Sequence, residues 1–315
     1  MNSDDRVAVC SRSFSSNPVL RAEILEKYLK VSFNDAGERL VGDRLVEFLQ
    51  GHDKAIIGLE SIDRGLLDRV PELKVVSKYG VGLDMIDLKA MSERGIRLGW
   101  TPGVNSRSVA ELVLVTAISL LRHIPALVAE VREGGWRQPI GHCLSGQTVG
   151  IIGWGAVGRD LTTLLAPFSC EILVNDILEI AGVSNGEPVE VSTIESLLGR
   201  ADVVTLHVPL GPGTVGLLDE ARLSLMKETA VLINTSRGGV VDETCLASML
   251  REGRLAGAAC DVFEREPPTG SELLGLANFL PTPHIGGSTH EAYLTMGRAA
   301  IAGLDDNQVP LADHV

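Results

Sequence analysis

The chain reads as an α/β protein of two doubly wound parallel-sheet domains, and three observations carry that reading. Short runs rich in β-branched residues alternate with helix-like stretches along nearly all 315 residues. Those runs are almost continuously apolar, as expected of parallel strands covered on both faces, whereas a half-exposed strand would alternate. A glycine-rich turn separates one run from a helical stretch near the middle of the chain. A length of 315 residues fits about two domains, and a 45% apolar content is enough to fill their cores.

The strand-like runs, in order, are Arg6–Cys10, Ala55–Gly58, Val75–Lys78, Thr148–Ile152, Glu171–Asn175, Val203–His207, Val231–Asn234 and Ala258–Asp261. Helical patterns between them include Leu20–Leu29, Arg44–Leu49 and Thr193–Leu198, which is the rhythm of βαβ units. Residues 105–132 break that rhythm. They read as one long helix, capped at Asn105 or Ser106 and broken at Pro125, of a length suited to bracing two domains. A loop-like Glu133-Gly134-Gly135-Trp136 follows. The boundary is expected near residue 101, with residues 101–285 forming one domain. Residues 1–100 and the tail 286–315, too short to fold alone, form the other.

Charge and cysteine usage narrow the functional classes. The net charge of −13, with no run of Lys and Arg, argues against binding a phosphate backbone. Five scattered cysteines (Cys10, Cys143, Cys170, Cys245 and Cys260) form no C-x-x-C and read as buried thiols of a reducing compartment, with no metal site. Met1-Asn2-Ser3-Asp4-Asp5 lacks the basic and apolar parts of a signal peptide. The longest apolar stretch, 109–121, is short for a membrane span and contains Glu111. A cytoplasmic protein is expected.

The strongest local signal is Gly153-Trp154-Gly155-Ala156-Val157-Gly158-Arg159, placed after an apolar strand and before a helix. Gly153 permits the tight turn, Gly155 lets backbone approach a pyrophosphate, and Gly158 lets helix and strand pack closely. The helix start attracts phosphates through its free N–H groups and its dipole, and Arg159 adds a cation. The following strand, Glu171–Asn175, runs into Asp176, positioned to accept the ribose hydroxyls of an adenosine. A 2′-phosphate beside Asp176 would meet like charge, with only Ile177 and Leu178 next in sequence, so NAD is expected rather than NADP.

Three further residues stand at strand ends, where open α/β sheets bind ligands. Arg237, in Asn234-Thr235-Ser236-Arg237-Gly238-Gly239, can offer a planar fork to a carboxylate. Glu266 lies in Phe263-Glu264-Arg265-Glu266-Pro267-Pro268, and His284 in the stiff loop Pro281-Thr282-Pro283-His284-Ile285-Gly286-Gly287. Each alone reads as an ordinary surface or structural residue. Together they supply what hydride transfer to a 2-keto acid requires: a proton donor, a cation and a group to tune the donor.

These segments closely resemble the D-isomer-specific 2-hydroxyacid dehydrogenase family, in particular its phosphoglycerate dehydrogenase-like branch. The likeness extends to Lys78-Tyr79-Gly80-Val81-Gly82-Leu83-Asp84, to Thr101-Pro102-Gly103-Val104-Asn105 with Val109-Ala110-Glu111, and to His207-Val208-Pro209-Leu210. The resemblance implies a Rossmann NAD-binding domain, a discontinuous flavodoxin-like substrate domain and a homodimer. It makes His284 the acid/base, Glu266 its hydrogen-bond partner favouring the protonated form, and Arg237 the group that binds and polarises the keto acid. Backbone N–H groups of Val81 and Gly82 receive the substrate carboxylate, with Lys78 beside them. Asp261 holds the nicotinamide amide. His207, Val208, Pro209, Thr235, Ser236, His284 and Gly286 join Gly153, Gly155, Ala156, Val157, Gly158, Arg159 and Asp176 around the cofactor.

The chain also departs from the family pattern. Relatives that act on phosphoglycerate often carry an arginine after the third strand, whereas here Gly58-Leu59-Glu60-Ser61 offers an acid. Met85 replaces a common asparagine. The sequence ends at Val315, so the feedback control of longer relatives is not expected. The substrate thus stays open among phosphoglycerate, hydroxypyruvate and glyoxylate types. A non-enzymatic alternative is an NAD(H)-sensing, corepressor-like binding protein of the same fold.

Overall fold

In a computed structural model, which describes residues 5–180, 183–184 and 187–310, five short strands open the chain. They are β1 (Arg6–Val9), β2 (Lys30–Phe33), β3 (Lys54–Ile57), β4 (Val75–Lys78) and β5 (Arg97–Gly99). They form a parallel sheet in the order β2-β1-β3-β4-β5. β3 and β4 are buried along their whole length, which explains the apolar Ala55–Ile57 and Val75–Val76 within them, while Lys54, Ser77 and Lys78 are buried with their polar groups hydrogen-bonded. β2 was not legible because its Lys-Val-Ser-Phe run carries a charge and a hydroxyl at a sheet edge.

The second sheet has seven parallel strands in the order β10-β7-β6-β11-β12-β13-β14. They are β6 (Thr148–Ile152), β7 (Glu171–Asn175), β10 (Glu190–Val191), β11 (Val203–Leu206), β12 (Val231–Asn234), β13 (Gly257–Cys260) and β14 (Phe279–Pro281). The intervening β8 (Val183–Ser184) and β9 (Glu187–Pro188) pair antiparallel to each other. β14 escapes a sequence reading because it has three residues, ends in proline and lies on an edge.

The chain divides into two compact units, Met1–Asn105 with Ser288–Val315, and Ser106–Gly287. In the first unit, Ala8, Ala55, Ile57 and Val76 belong to one core, and Val7, Val9 and Ile56 pack with Ala300 and Ile301 in the other. The helix His290–Gly303 belongs to that second layer. Gly303 brings it against the backbone of Gly99, and Ser77 Oγ donates to Ala300 O at 2.7 Å. Just beyond the helix, Asp305 accepts from the buried Lys54 ammonium at 2.9 Å and from Tyr28 Oη at 2.7 Å. Burial alone would lower the Lys54 pKa, and the carboxylates of Asp305 and Asp5 reverse that and raise it. In the second unit, Ile152, Val204 and Leu206 pack with Leu197, Leu246 and Leu250 on one face, while Val149, Ile151 and Val174 meet Ala110, Val113 and Leu120 on the other.

The segment 105–132 is two helices, Ser106–Leu121 and Ile124–Arg132, bent by 64°. The break falls at His123, whose φ of 56° is left-handed and ends the helical run. Pro125 sits in the first turn of the second helix, where a missing N–H costs nothing. Among the described residues no single helix is long and apolar enough to cross a membrane. Of the cysteines, Cys10 and Cys260 are buried, whereas Cys143 is exposed, against the expectation of buried thiols. Met1–Asp4, on which the reading of the N-terminus rests, lie outside the described residues.

Candidate active site

The order of the second sheet reverses direction at β6, between β7 and β11, so loops leaving the carboxyl ends of these strands diverge and open a ligand crevice. The glycine turn lies there. Gly153 has φ 97°, and a Cβ on it would stand 2.4 Å from His207 O, so only glycine fits. A Cβ on Gly158 would stand 2.6 Å from Gly153 O, which lets the helix Ala156–Leu165 lie against the turn. A Cβ on Gly155 would meet no atom within 4 Å, and no side chain caps the helix start. The amides of Ala156 and Val157 thus face a clear approach suited to an anion. Arg159 turns back, its Nε donating to Gly155 O at 3.3 Å.

Asp176, one residue past β7, accepts from Trp154 N–H at 2.5 Å and from Leu178 N–H at 2.9 Å. The carboxylate therefore braces the glycine turn and keeps lone pairs for a further donor. Ile177 is fully exposed beside it and brings no cation. After β11, His207 lies with Nε2 3.0 Å from Thr205 Oγ1, and burial pushes its pKa down to about 3, so the imidazole is neutral at physiological pH. Val208 and Pro209 continue this strand end.

At the end of β12, Asn234 shapes the turn that carries Arg237. Its Oδ1 accepts from Ser236 N–H at 3.0 Å and Ser236 Oγ at 2.8 Å, while its Nδ2 donates to Arg237 O at 2.9 Å. Thr235 Oγ1 is buried without a hydrogen-bond partner. An orphaned buried hydroxyl is costly, and a polar ligand is the natural way to satisfy it. Arg237 Nη1 donates to Ser236 O at 2.7 Å. The Cα of Gly238 then passes so close to the next loop that a Cβ would stand 2.0 Å from Phe263 C.

His284 and Glu266 meet directly. Nδ1 of the imidazole lies 2.9 Å from Oε2 and 3.1 Å from Oε1, and Glu266 Oε1 also accepts from Phe263 N–H at 3.2 Å. His284 has a left-handed φ of 55°. Its loop is held by Asp261, whose Oδ1 accepts from Thr282 Oγ1 at 2.6 Å and Ile285 N–H at 2.8 Å, and whose Oδ2 accepts from Gly286 N–H at 2.8 Å. Ser108 Oγ closes the clamp, donating to Gly286 O at 2.6 Å. Asp261 thus spends most of its acceptor capacity on the loop that bears the histidine. The sequence reading missed Ser108 and Asn234. An Asx turn is legible in Asn234-Thr235-Ser236 after a strand, whereas nothing local to Ser108 points to Gly286.

In the first unit, β4 ends on Lys78, which is 6% exposed and donates through Nζ to Gly58 O. Glu60, also buried, accepts from Gly58 N–H at 2.6 Å. Among the described residues the N–H groups of Val81 and Gly82 find no backbone partner, while Val81 O accepts from Trp100 Nε1 at 3.0 Å. The first sheet reverses order between β1 and β3, so the end of β3 borders that point and the end of β4 lies one strand further out.

The residues fit a nicotinamide dinucleotide: a glycine turn with an open approach, a carboxylate one strand over and an orphaned hydroxyl at the end of β12. Residues 114–286 match the model of the D-isomer specific 2-hydroxyacid dehydrogenase, NAD binding domain. The chain is 38% identical over 242 residues to a glyoxylate reductase of Thermococcus litoralis, covering 74% of this chain and 73% of that one. It is 37% identical over 262 residues to a D-3-phosphoglycerate dehydrogenase of Methanocaldococcus jannaschii, covering 82% of this chain and 50% of that longer protein. A solved D-2-hydroxyisocaproate dehydrogenase, 26% identical, superposes with a TM-score of 0.83 over 95% of each chain. The chain belongs to the D-isomer specific 2-hydroxyacid dehydrogenase family and is an NAD-dependent oxidoreductase of 2-hydroxy acids.

Proposed function

We propose that the protein interconverts short, unphosphorylated 2-keto acids of the glyoxylate and hydroxypyruvate type with their D-2-hydroxy acids, using His284 as the acid/base. The observation that carries this reading is the contact of Glu266 with Nδ1 of His284, which leaves Nε2 to carry the transferable proton. In the reducing direction His284 gives that proton to the carbonyl oxygen, and Arg237 pairs with the carboxylate and polarises the carbonyl. The bound nicotinamide supplies or takes the hydride. Val81 and Gly82 N–H groups receive the substrate carboxylate, with Lys78 beside them. Asp261 contacts the nicotinamide amide with its remaining acceptor capacity and fixes the loop of His284 and Gly286.

On the cofactor, Asp176 binds the adenosine ribose. Gly153, Gly155 and Gly158, with the amides of Ala156 and Val157, hold the pyrophosphate, and Arg159 adds charge. His207, Val208, Pro209, Thr235 and Ser236 line the remainder. Glu60 argues against phosphorylated acids, because a buried carboxylate stands on the turn where a phosphate would need a cation.

The domain assignment follows the roles: residues 1–100 with 286–315 bind substrate, and 101–285 bind NAD. A homodimer is the assembly we favour. The helix Ile124–Arg132 buries none of its residues, and Ile124, Val128 and Val131 are exposed at helical spacing, so this helix needs a cover that a second copy supplies by two-fold symmetry. The apolar 109–121 stretch is mostly internal and offers less surface for that contact. The five free thiols fit a cytoplasmic setting.

The test is NADH oxidation against a panel of 2-keto acids with and without a phosphate. Turnover of glyoxylate or hydroxypyruvate, with the phosphorylated analogue used poorly, supports the reading. Tight NADH binding without turnover of any 2-keto acid overturns it. For the dimer, Val128→Glu should give a monomer by light scattering.

A further inference from the structure

The loop that carries Glu266 is tied at its base by a second carboxylate. Glu243 is the first residue of the helix Glu243–Arg251, which Asp242 caps through Cys245 N–H at 2.9 Å and which Leu246, Met249 and Leu250 anchor in the core. Its Oε1 accepts from the backbone N–H of Glu264 at 2.7 Å. The preceding amide, Phe263 N–H, donates to Glu266 Oε1 at 3.2 Å. Two consecutive N–H groups are thus taken up by two carboxylates, one from a fixed helix and one from the partner of His284. The two peptide planes share the Cα of Phe263, so fixing one restricts the other. Phe263 itself is buried edge-on against Phe279, with ring centroids 6.2 Å apart. Gly238, next to Arg237, bears on the same two residues from the other side.

We propose that Glu243 is a positioning residue for the reaction: by holding Glu264 N–H it sets the 263–266 loop so that Glu266 reaches Nδ1 of His284. The Glu243 carboxyl is half-buried. Burial pushes its pKa up, and the Glu264 carboxylate adds to that against the lowering effect of the bond from Glu264 N–H. The helix dipole favours a carboxylate in this first turn, but it does not require the side chain to reach Glu264 N–H. The bond to the loop gives that reach a purpose. The inference rests on the assignment of His284 and Glu266 made above.

The test compares steady-state kinetics and NADH affinity of Glu243→Ala, Glu243→Asp and Glu243→Gln with the parent. Alanine removes the acceptor, and aspartate keeps the charge but retracts it by one methylene. Both should lower kcat by about tenfold or more, with KM for the keto acid and Kd for NADH changed by less than about twofold. Glutamine keeps an acceptor at the same reach and should restore most of kcat. In a Glu266→Gln background, Glu243→Asp should cost less than about a further twofold, because both residues act through one geometry. Parent-like kcat in Glu243→Asp, failure of glutamine to rescue, or fully additive losses would overturn the proposal, whether or not the alanine variant folds. Should Glu266→Gln alone keep the parent kcat, the assignment of the acid/base pair fails instead.

Discussion

Nδ1 of His284 lies 2.9 Å from Oε2 of Glu266, although 18 residues of chain separate them. One ring nitrogen is therefore committed to a carboxylate, and the imidazole can present only the other to a reacting atom. His284→Asn should lower kcat by roughly 10²–10⁴ while leaving NADH affinity, measured by fluorescence titration, near the parent value. Equal loss of turnover and of NADH affinity would point to a structural role.

Arg237 is half-buried, and its turn is shaped by Asn234. Arg237→Lys keeps the charge and loses the planar fork, so kcat/KM for a 2-keto acid should fall by about 10²-fold, equivalent to one or two charge-assisted hydrogen bonds. Nearly intact activity would mean that the substrate is not held by a carboxylate.

Asp176 braces the glycine turn and keeps acceptor capacity for a ribose. Asp176→Ala should weaken NADH binding by about tenfold through loss of charge-assisted hydrogen bonds. The gap between NADH and NADPH should narrow, because a like charge is removed. If the parent already preferred NADPH, this account of Asp176 would be wrong.

Burial holds His207 neutral, with a pKa pushed from 6.5 down to about 3. Between those values the unfolded chain binds a proton that the folded one refuses, so this residue makes stability fall as pH drops below about 6.5. One full proton corresponds to about 1.4 kcal/mol per pH unit, or roughly 2 kcal/mol between pH 6.5 and 5. Urea unfolding of His207→Gln at those two pH values should show a loss smaller than the parent's by up to about that amount. Identical losses would show that His207 does not contribute to acid sensitivity.

Gly238 is where the loops of Arg237 and Glu266 touch through backbone. Gly238→Ala forces them apart and should cost about 1–3 kcal/mol of stability, with a larger effect on kcat than on the unfolding midpoint. Unchanged kinetics would show that the two loops need not be in register.

Local chemistry made part of this protein readable from its sequence. Strands buried on both faces, such as β3, β4 and β12, are mostly apolar because none of their residues is exposed to water, and their polar residues Lys54, Ser77, Lys78 and Asn234 are buried. Gly153 and Gly158 are required by atoms of the same turn and the next strand, so their motif carries its own meaning. Where burial is partial, the signal fades: β2 and β14 at sheet edges were missed, and the helix break was expected at Pro125 when the backbone turns at His123. Single residues with chemistry at strand ends were visible as candidates, and the pairing of Glu266 with His284 followed from the family resemblance, but the other partners did not. The three donors gathered by Asp261, the pinning of Gly286 by Ser108 and the hold of Glu243 on Glu264 join residues distant in the chain. Hydrogen bonds of this kind depend on distances of about 3 Å, which no spacing along a sequence encodes and which only the packing of separate loops against one sheet can set.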